Sequence, residues 1–595
     1  MKSSKIIVMA MLITNLGFSQ ESHVALYNGV PTLFINDEAI APTSLFVYEP
    51  PNNKSQYPYD SPEWLPAYKG LIDKVASTGL SYLGIRWYFF YPMFETGTEP
   101  EVYGSEIDFT KMDALFDYAE EKGVYLMPSI WTSWPPEWWR EQHEDELQHD
   151  YTNPPIIDEG VSLNNPDYWE VMDEYIRVSV ERYRSHPALL GWDVRVGITN
   201  ENNYGPSYTS DPDNPPTSWA DYSPYAKGRF QSWLEERYGS IEALNSAWGS
   251  QFTSFDDVEP PMPEEPGGGS PELAANGAGD TRPEMKDWLE FRLDEKGEDW
   301  NHFIDLVESL DPDHIIAMNP VNPLLTPALP TAKSGTADGP EWTRYSNVDM
   351  VLIHPRISYY EDPTQWNAEN SHLFAFIAYA RHLGKIATFA MEDIADQEGE
   401  PVSEDRIRSL IPMLAQAGGG MGWVTSPSGQ LAWDEELEII AEYTDLFEPD
   451  NRSVNIPEIA ILVDPKGEQV EYSLSMLKSR CVDRKDFYPT LYNAGIEIDP
   501  LETAEVIADP QILDNYIGIV VANIARLDTN VALILDNYTQ SGGGLFIAGR
   551  TGIFDSVGNN DYTALKTLLG LSSMLTDDAT SYATWSFDSS SDPLL

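Results

Sequence analysis

Two glutamates stand where apolar runs stop, and together they could do chemistry. The run Ala188-Leu189-Leu190-Gly191-Trp192 leads towards Asn200-Glu201, and Lys385-Ile386-Ala387-Thr388-Phe389-Ala390-Met391 leads directly into Glu392. Near-continuous apolar runs of this kind read as buried parallel strands, and in a barrel the chemistry sits at the C-terminal strand ends. Two carboxyl groups at one mouth can cleave a glycosidic bond: one protonates the leaving oxygen, the other attacks the sugar carbon or activates water. A separation of about 5–5.5 Å would make the reaction a double displacement with retention. In that case Glu392 is the nucleophile and Glu201 the acid, later the base. A single glutamate at a strand end is ordinarily a solvated loop carboxylate or a helix cap, so the pair carries the reading. Alternation along the strand turns Asp393 away from the face that Glu392 would share.

These residues need a scaffold that brings distant strand ends together. Strands are predicted at Ser44–Tyr48, Tyr82–Trp87, Val124–Trp131, Leu189–Thr199, Ile315–Asn319, Met350–His354, Ile386–Glu392 and Gly422–Ser426. Helical stretches fall between them, among them Met112–Lys122, Tyr168–Arg184, Met285–Leu310, Ala368–Leu383 and Glu404–Ala417. Eight strands alternating with helices predict an α/β fold, a (β/α)8 TIM barrel, with Glu201 closing the fourth strand and Glu392 the seventh. A hairpin turning at Asn28-Gly29 precedes it. Two insertions interrupt the alternation: Pro206 to Pro224, expected over the barrel mouth, and Pro260 to Pro283, a Pro/Gly-rich surface loop. After Asn451 short runs at Ile459–Val463, Ile496–Ile498, Ile517–Ala522 and Gly544–Ala548 predict a smaller, flavodoxin-like open α/β domain. Ser541-Gly542-Gly543-Gly544 precedes a strand instead of opening a helix, so it is not a nucleotide fingerprint. The expected division is a signal peptide at 1–20, the barrel with its hairpin at 21–450, an assembly domain at 451–570 and a tail at 571–595.

Composition narrows the partners. The 595 residues include 36 Lys+Arg against 96 Asp+Glu, a formal net charge of -60. Such a field opposes nucleic acid and anionic membrane surfaces and keeps a protein soluble in salty surroundings. Lys2 and Lys5 precede the apolar run Ile6–Ile13, then Gly17, Ser19 and Gln20, the pattern of a secretory signal. No later run is long enough to span a bilayer, so an exported (secreted or periplasmic) protein is expected. Cys481 is the only cysteine, which excludes intrachain disulfides and a thiolate metal cluster. No cofactor and no metal are expected.

Several motifs carry a family resemblance. Asn200-Glu201 after a Trp-bearing strand resembles the acid/base motif of clan A glycoside hydrolases. The surrounding sequence is similar to glycoside hydrolase family 42, the β-galactosidases. Trp87 to Asp113, with Glu95, Asp108 and Phe109, is one stretch; Trp131-Thr132-Ser133-Trp134-Pro135-Pro136-Glu137-Trp138-Trp139 resembles the family's strand-three loop. Arg182-Tyr183, His186-Pro187 and Gly191-Trp192 match its approach to the acid/base. Phe230-Gln231-Ser232-Trp233-Leu234, Arg237-Tyr238-Gly239, Leu244-Asn245 and Ala247-Trp248-Gly249 form the most specific match. The resemblance spans roughly residues 60 to 570 and implies Asn200 as a substrate-orienting amide and Glu201 as acid/base. It implies Glu392 as nucleophile by position and by its Ala-Met-Glu context. It also implies a trimerisation role for the second domain. The chain departs from the family in reading Asn202-Asn203 after Glu201 and in lacking the zinc-binding cysteines of many members.

Trp131, Trp134 and Tyr204 beside strand ends offer flat rings for sugar faces, as do Trp138, Trp139, Tyr88 and Tyr91. Arg86, His354 and Arg356 near strands two and six could pair with Glu392 or hold a sulfate or acidic sugar; bridging to neighbouring carboxylates is the plainer role. The expected activity is hydrolysis of β-linked galactosides in oligo- or polysaccharides, by a chain that could form a homo-trimer. The alternatives are an endo-acting hydrolase of algal galactans (carrageenan, agar or porphyran) and a non-catalytic sugar-binding or assembly protein.

Overall fold

The computed structural model describes residues 20–47, 62–85, 102–105, 107–132, 142–143, 147–149, 161–196, 221–261, 282–318, 347–353, 377–391, 404–425, 433–454, 457–464, 491, 496–522, 524, 526–548, 551–552 and 562–570. The chain enters through β1 (Ser22–Tyr27), β2 (Val30–Ile35) and β3 (Glu38–Ile40), an antiparallel sheet in that order. Its turns are Asn28-Gly29, with φ of 53° and 81°, and Asn36-Asp37, with φ of 48° and 64°. Positive φ at both central residues defines the tight hairpin turn that asparagine, aspartate and glycine tolerate. The second such turn adds a strand to the predicted hairpin.

Eight parallel strands then close a barrel: β4 (Thr43–Val47), β5 (Tyr82–Ile85), β6 (Tyr125–Trp131), β7 (Gly191–Arg195), β8 (Ile315–Met318), β9 (Met350–Ile353), β10 (Ile386–Met391) and β11 (Gly420–Thr425). Each predicted strand is one of these eight, in the predicted order. Pairing of β11 with β4, Met421 opposite Thr43, closes the ring. Helices α1 (Trp64–Thr78), α2 (Thr110–Lys122) and α3 (Pro166–Tyr183) follow the early strands. Residues 377–382 are helical and lead into β10, and α7 (Glu404–Ala417) and α8 (Trp433–Ala441) flank β11. Alternation sorts the strand residues: Leu83, Ile130, Trp192, Val194, Ile316 and Val351 pack outward against the helices, while Tyr82, Met127, Ile315, Ala317, Met350, Leu352 and Ile386 fill the barrel. Leu33 and Ile35 of the hairpin join that interior cluster and plug its N-terminal end.

Between β7 and β8 the chain builds α4 (Pro224–Tyr238) and α5 (Ile241–Trp248) before α6 (Pro283–Leu310). Their shared core is Ala226, Phe230, Leu234 and Leu244 against Met285, Trp288 and Phe291 of α6. The residues of the most specific family match are the fasteners here. Trp248 Nε1 and Tyr238 Oη donate to Asp287 Oδ2 (2.7 and 2.5 Å), and Trp233 Nε1 donates to Asp294 (3.0 Å). Gly239 and Gly249 end the two helices at φ of 68° and 70°.

A second parallel sheet has the order β13-β12-β14-β15, built from β12 (Ile459–Val463), β13 (Ile498–Glu502), β14 (Gly518–Ala522) and β15 (Gly544–Ala548). In chain order this is 2-1-3-4, as in the first four strands of a flavodoxin-like sheet. Helices α9 (Thr503–Ala508), α10 (Thr529–Gln540) and α11 (Thr563–Leu569) accompany it. The predicted strand at Ile496–Ile498 lies instead at Ile498–Glu502. The glycine run before β15 follows α10; a Cβ at Gly543 would fall 2.1 Å from the Tyr538 ring, so packing demands the glycine.

Candidate active site

The candidate site is the mouth formed by the C-terminal ends of the barrel strands. Glu201, Glu392, Asn200, Arg86, Trp134, Tyr204, His354 and Arg356 lie outside the described residues; Trp131 is the predicted site residue that lies within them. It is the last residue of β6, is 7% exposed, and pairs in register with Arg195, the last residue of β7. The strands expected to deliver the two carboxylates are in place. β7 is fourth in the ring and ends six positions before Glu201; β10 is seventh, and its last residue, Met391, immediately precedes Glu392.

Below the mouth the barrel interior turns polar. Ser129 Oγ donates to Asp193 Oδ2 (2.6 Å), and Arg195 Nε donates to the same oxygen (2.5 Å). Both members of this ion pair are buried, and the Arg195 guanidinium lies 5.6 Å from the Trp131 ring centroid. Thr132 secures the strand ends by donating to the Arg195 carbonyl from its backbone N–H (3.1 Å) and its hydroxyl (3.2 Å). Burial pushes the Tyr82 phenol up to about 12, so it stays protonated and donates to the Met350 sulfur (3.3 Å). A charge pair costs desolvation wherever it is buried, so it is placed where geometry and hydrogen bonding can compensate. Here that layer forms the floor under the strand ends, with the cation stacked against an aromatic ring.

The loops around the mouth meet at Asp221. Its Oδ1 accepts from the backbone N–H of His149 (3.1 Å) and Ser223 (2.8 Å). Its Oδ2 accepts from Ser162 Oγ (2.5 Å), Ser223 Oγ (2.9 Å) and Asn164 Nδ2 (3.1 Å). Neither Asp221 nor the Asp193–Arg195 pair was singled out in the sequence. The second had a signal: two charges two positions apart inside a buried strand share one face. Among the described residues no group of three or more His, Cys, Asp or Glu is arranged to hold a metal ion.

With this geometry in place, the chain can be set beside known proteins. Residues 96–348 match the family model Glyco_hydro_42, beta-galactosidase. That segment, less than half of the chain, is thus similar to glycoside hydrolase family 42. The beta-galactosidase LacZ of Heyndrickxia coagulans is 31% identical over 150 residues, 25% of this chain and 20% of that protein. Beta-galactosidase BgaH of Haloferax lucentense is 25% identical over 203 residues, 32% of this chain and 27% of that one. The chain thus spans about a fifth to a quarter of the length of the curated relatives it matches. Among solved structures, a polyextremophilic beta-galactosidase from Halorubrum lacusprofundi superposes with a TM-score of 0.66 at 17% identity, covering 88% of this chain and 76% of that one. A cold-adapted beta-galactosidase from Rahnella sp. R3 gives 0.64 at 16% identity, over 89% and 75%. At these identities the superpositions speak for the fold, and they agree with the closed eight-stranded barrel.

Proposed function

We propose that this protein is a retaining glycoside hydrolase that cleaves β-linked galactosides, with Glu201 as acid/base and Glu392 as nucleophile. The observation that carries the reading is the family match over residues 96–348, which takes in strands three to five of the barrel and the Glu201 segment. The barrel adds support on the other side. Ile386 faces the barrel interior, and Glu392 shares its parity on the strand that ends at Met391. In the first step Glu201 donates its proton to the glycosidic oxygen while the Glu392 carboxylate bonds to the anomeric carbon. In the second, Glu201 takes a proton from water, which displaces Glu392. Asn200, Trp131 and the other aromatic and cationic candidates orient the sugar. The signal-like first twenty residues support export, and the second domain supports assembly into a homo-oligomer. Among the described residues no helix is long and apolar enough to cross a membrane.

The test is a digestion panel of small β-galactosides, galacto-oligosaccharides, agar, porphyran and carrageenans, comparing the wild type with Glu392→Ala and Glu201→Gln. Free galactose with retained anomeric configuration is expected, together with a loss of about 10²–10⁴-fold in Glu201→Gln. Oligosaccharides from one algal galactan, with small galactosides untouched, would replace the substrate assignment with the endo-acting one. Full activity in Glu392→Ala would remove that residue from the nucleophile's role.

A further inference from the structure

Among the described residues four arginines are buried: Arg195, Arg292, Arg452 and Arg526. Three of them face a carboxylate. Arg195 Nε lies 2.5 Å from Asp193, Arg292 Nε 3.6 Å from Glu295, and Arg526 Nη1 3.1 Å from Glu290. Arg452, 2% exposed, faces none among the described residues, although the chain holds 96 Asp and Glu. Its neighbours are backbone carbonyls: Nη2 donates to Gly418 (2.5 Å) and Gly419 (3.4 Å), and Nη1 reaches Pro31 (3.5 Å). Its Nε–H is buried without an acceptor. Burial lowers the pKa to about 10, and no neighbouring charge offsets that. At neutral pH the guanidinium therefore keeps its charge.

This cation sits at the N-terminal end of the barrel. Gly418 and Gly419 turn the chain from α7 into β11, Pro31 belongs to β2 of the hairpin, and Arg452 follows the single helical turn Pro449–Asn451. A Cβ at Gly418 would fall 3.1 Å from Val454 and 3.3 Å from Val30, so apolar walls stand close by. The C-terminal end of α7 supplies only about half an elementary charge. A buried charge without a counter-charge is strongly destabilising, and an orphaned N–H adds to the cost. From this contrast with the three paired arginines we propose that Arg452 binds a small monovalent inorganic anion from solvent, of the chloride class. The anion seats on the Nε side of the guanidinium and completes the junction of hairpin, α7 and β11. One negative charge matches the one cation. Phosphate would exceed it and press its oxygens towards the carbonyls of Gly418, Gly419 and Pro31, whereas a halide needs one donor and tolerates valine methyls.

The probe is the halide itself. Screening alone acts on a chain of net charge -60, so melting temperatures are compared at equal ionic strength in sodium chloride, sodium bromide and sodium gluconate. The wild type is expected to show a saturable rise of about 1–3 °C in either halide beyond that seen in Arg452→Met, which keeps the length of the side chain without its charge or donors. In wild-type crystals grown in sodium bromide, an anomalous peak is expected within hydrogen-bonding reach of Arg452 Nε. That measurement decides the matter if Arg452→Met does not fold. A water or no density at Nε, without bromide, would overturn the proposal. So would an equal halide response in wild type and variant. A bromide peak at Nε with no halide response in the wild type would mark an adventitious ion only, and would overturn it as well.

Discussion

The two halves of the barrel interior obey different rules. Towards the N-terminal ends the filling is mainly apolar: Met127, Leu190, Ile315, Met350 and Ile386, with the buried Tyr82 phenol on the Met350 sulfur, closed from below by Leu33 and Ile35. Towards the C-terminal ends it is Ser129, Asp193, Arg195 and Trp131, hydrogen-bonded and charged. The lower half gains stability by removing apolar surface from water, at roughly 25 cal/mol per Å². The upper half spends desolvation on a fixed cation and its counter-charge directly under the strand ends, where barrel enzymes in general carry their chemistry. Substitutions should therefore fail in opposite ways in the two halves.

The largest effect is expected at Asp193. Asp193→Ala removes the buried carboxylate partner of Arg195 and should cost about 3–5 kcal/mol in denaturant unfolding. Replacing the pair together, Asp193→Leu with Arg195→Met, should recover much of that loss in stability but not in turnover. A double variant as unstable as the single one would mean that the pair holds the fold instead of serving the mouth. In the lower half, Leu33→Ala, at 0% exposure, should cost about 2–5 kcal/mol and leave kcat/KM per folded molecule unchanged. An altered substrate profile in that variant would erase the distinction between the halves. Between them sits Gly84, whose Cβ would fall 2.2 Å from the Phe46 ring. Gly84→Ala should lower the unfolding midpoint by the equivalent of about 1–3 kcal/mol, and Phe46→Leu in the same chain should restore part of it.

How far each part was legible follows the same division. Apolar periodicity announced all eight barrel strands, because a strand buried on both faces must be apolar nearly throughout. It did not announce Asp193 and Arg195, whose partners, Ser129 and Trp131, are supplied by the neighbouring strand. Asp221 was hidden for a related reason: it closes a Pro, Ser and Asp-rich insertion whose composition reads as surface. The densest family signature, from Phe230 to Gly249, fastens a helical insertion onto α6, so the most recognisable residues are scaffold. The strand at Ile498–Glu502 was placed two residues early at its start and four at its end because Asp499 and Glu502 are polar, and part of what they bind, His382 and Tyr379, lies on the barrel.

That binding joins the barrel to the second sheet and makes its stability depend on pH. Tyr379 donates to Glu502, Arg381 Nη2 donates to Glu497 (3.2 Å), and His382 lies 3.0 Å from Glu505 and 3.8 Å from Asp499. Unlike the hairpin under the barrel, this contact is ionic. Burial works against a charge on His382, but hydrogen bonds and attraction from Asp499 and Glu505 outweigh it and raise its pKa from 6.5 to about 9. The folded state thus holds this proton more tightly than the unfolded chain. The resulting stability is fully present below about pH 6.5 and is lost as the pH rises through about 9. Each unit of displacement corresponds to ~1.4 kcal/mol, reduced by the partial exposure of Glu505. Across that window wild-type unfolding midpoints should fall more steeply than those of His382→Gln, and the two curves should converge at the alkaline end. Parallel curves would show that the proton is not shared across the dock, and would leave Arg381 and Tyr379 as the groups that hold the second sheet to the barrel.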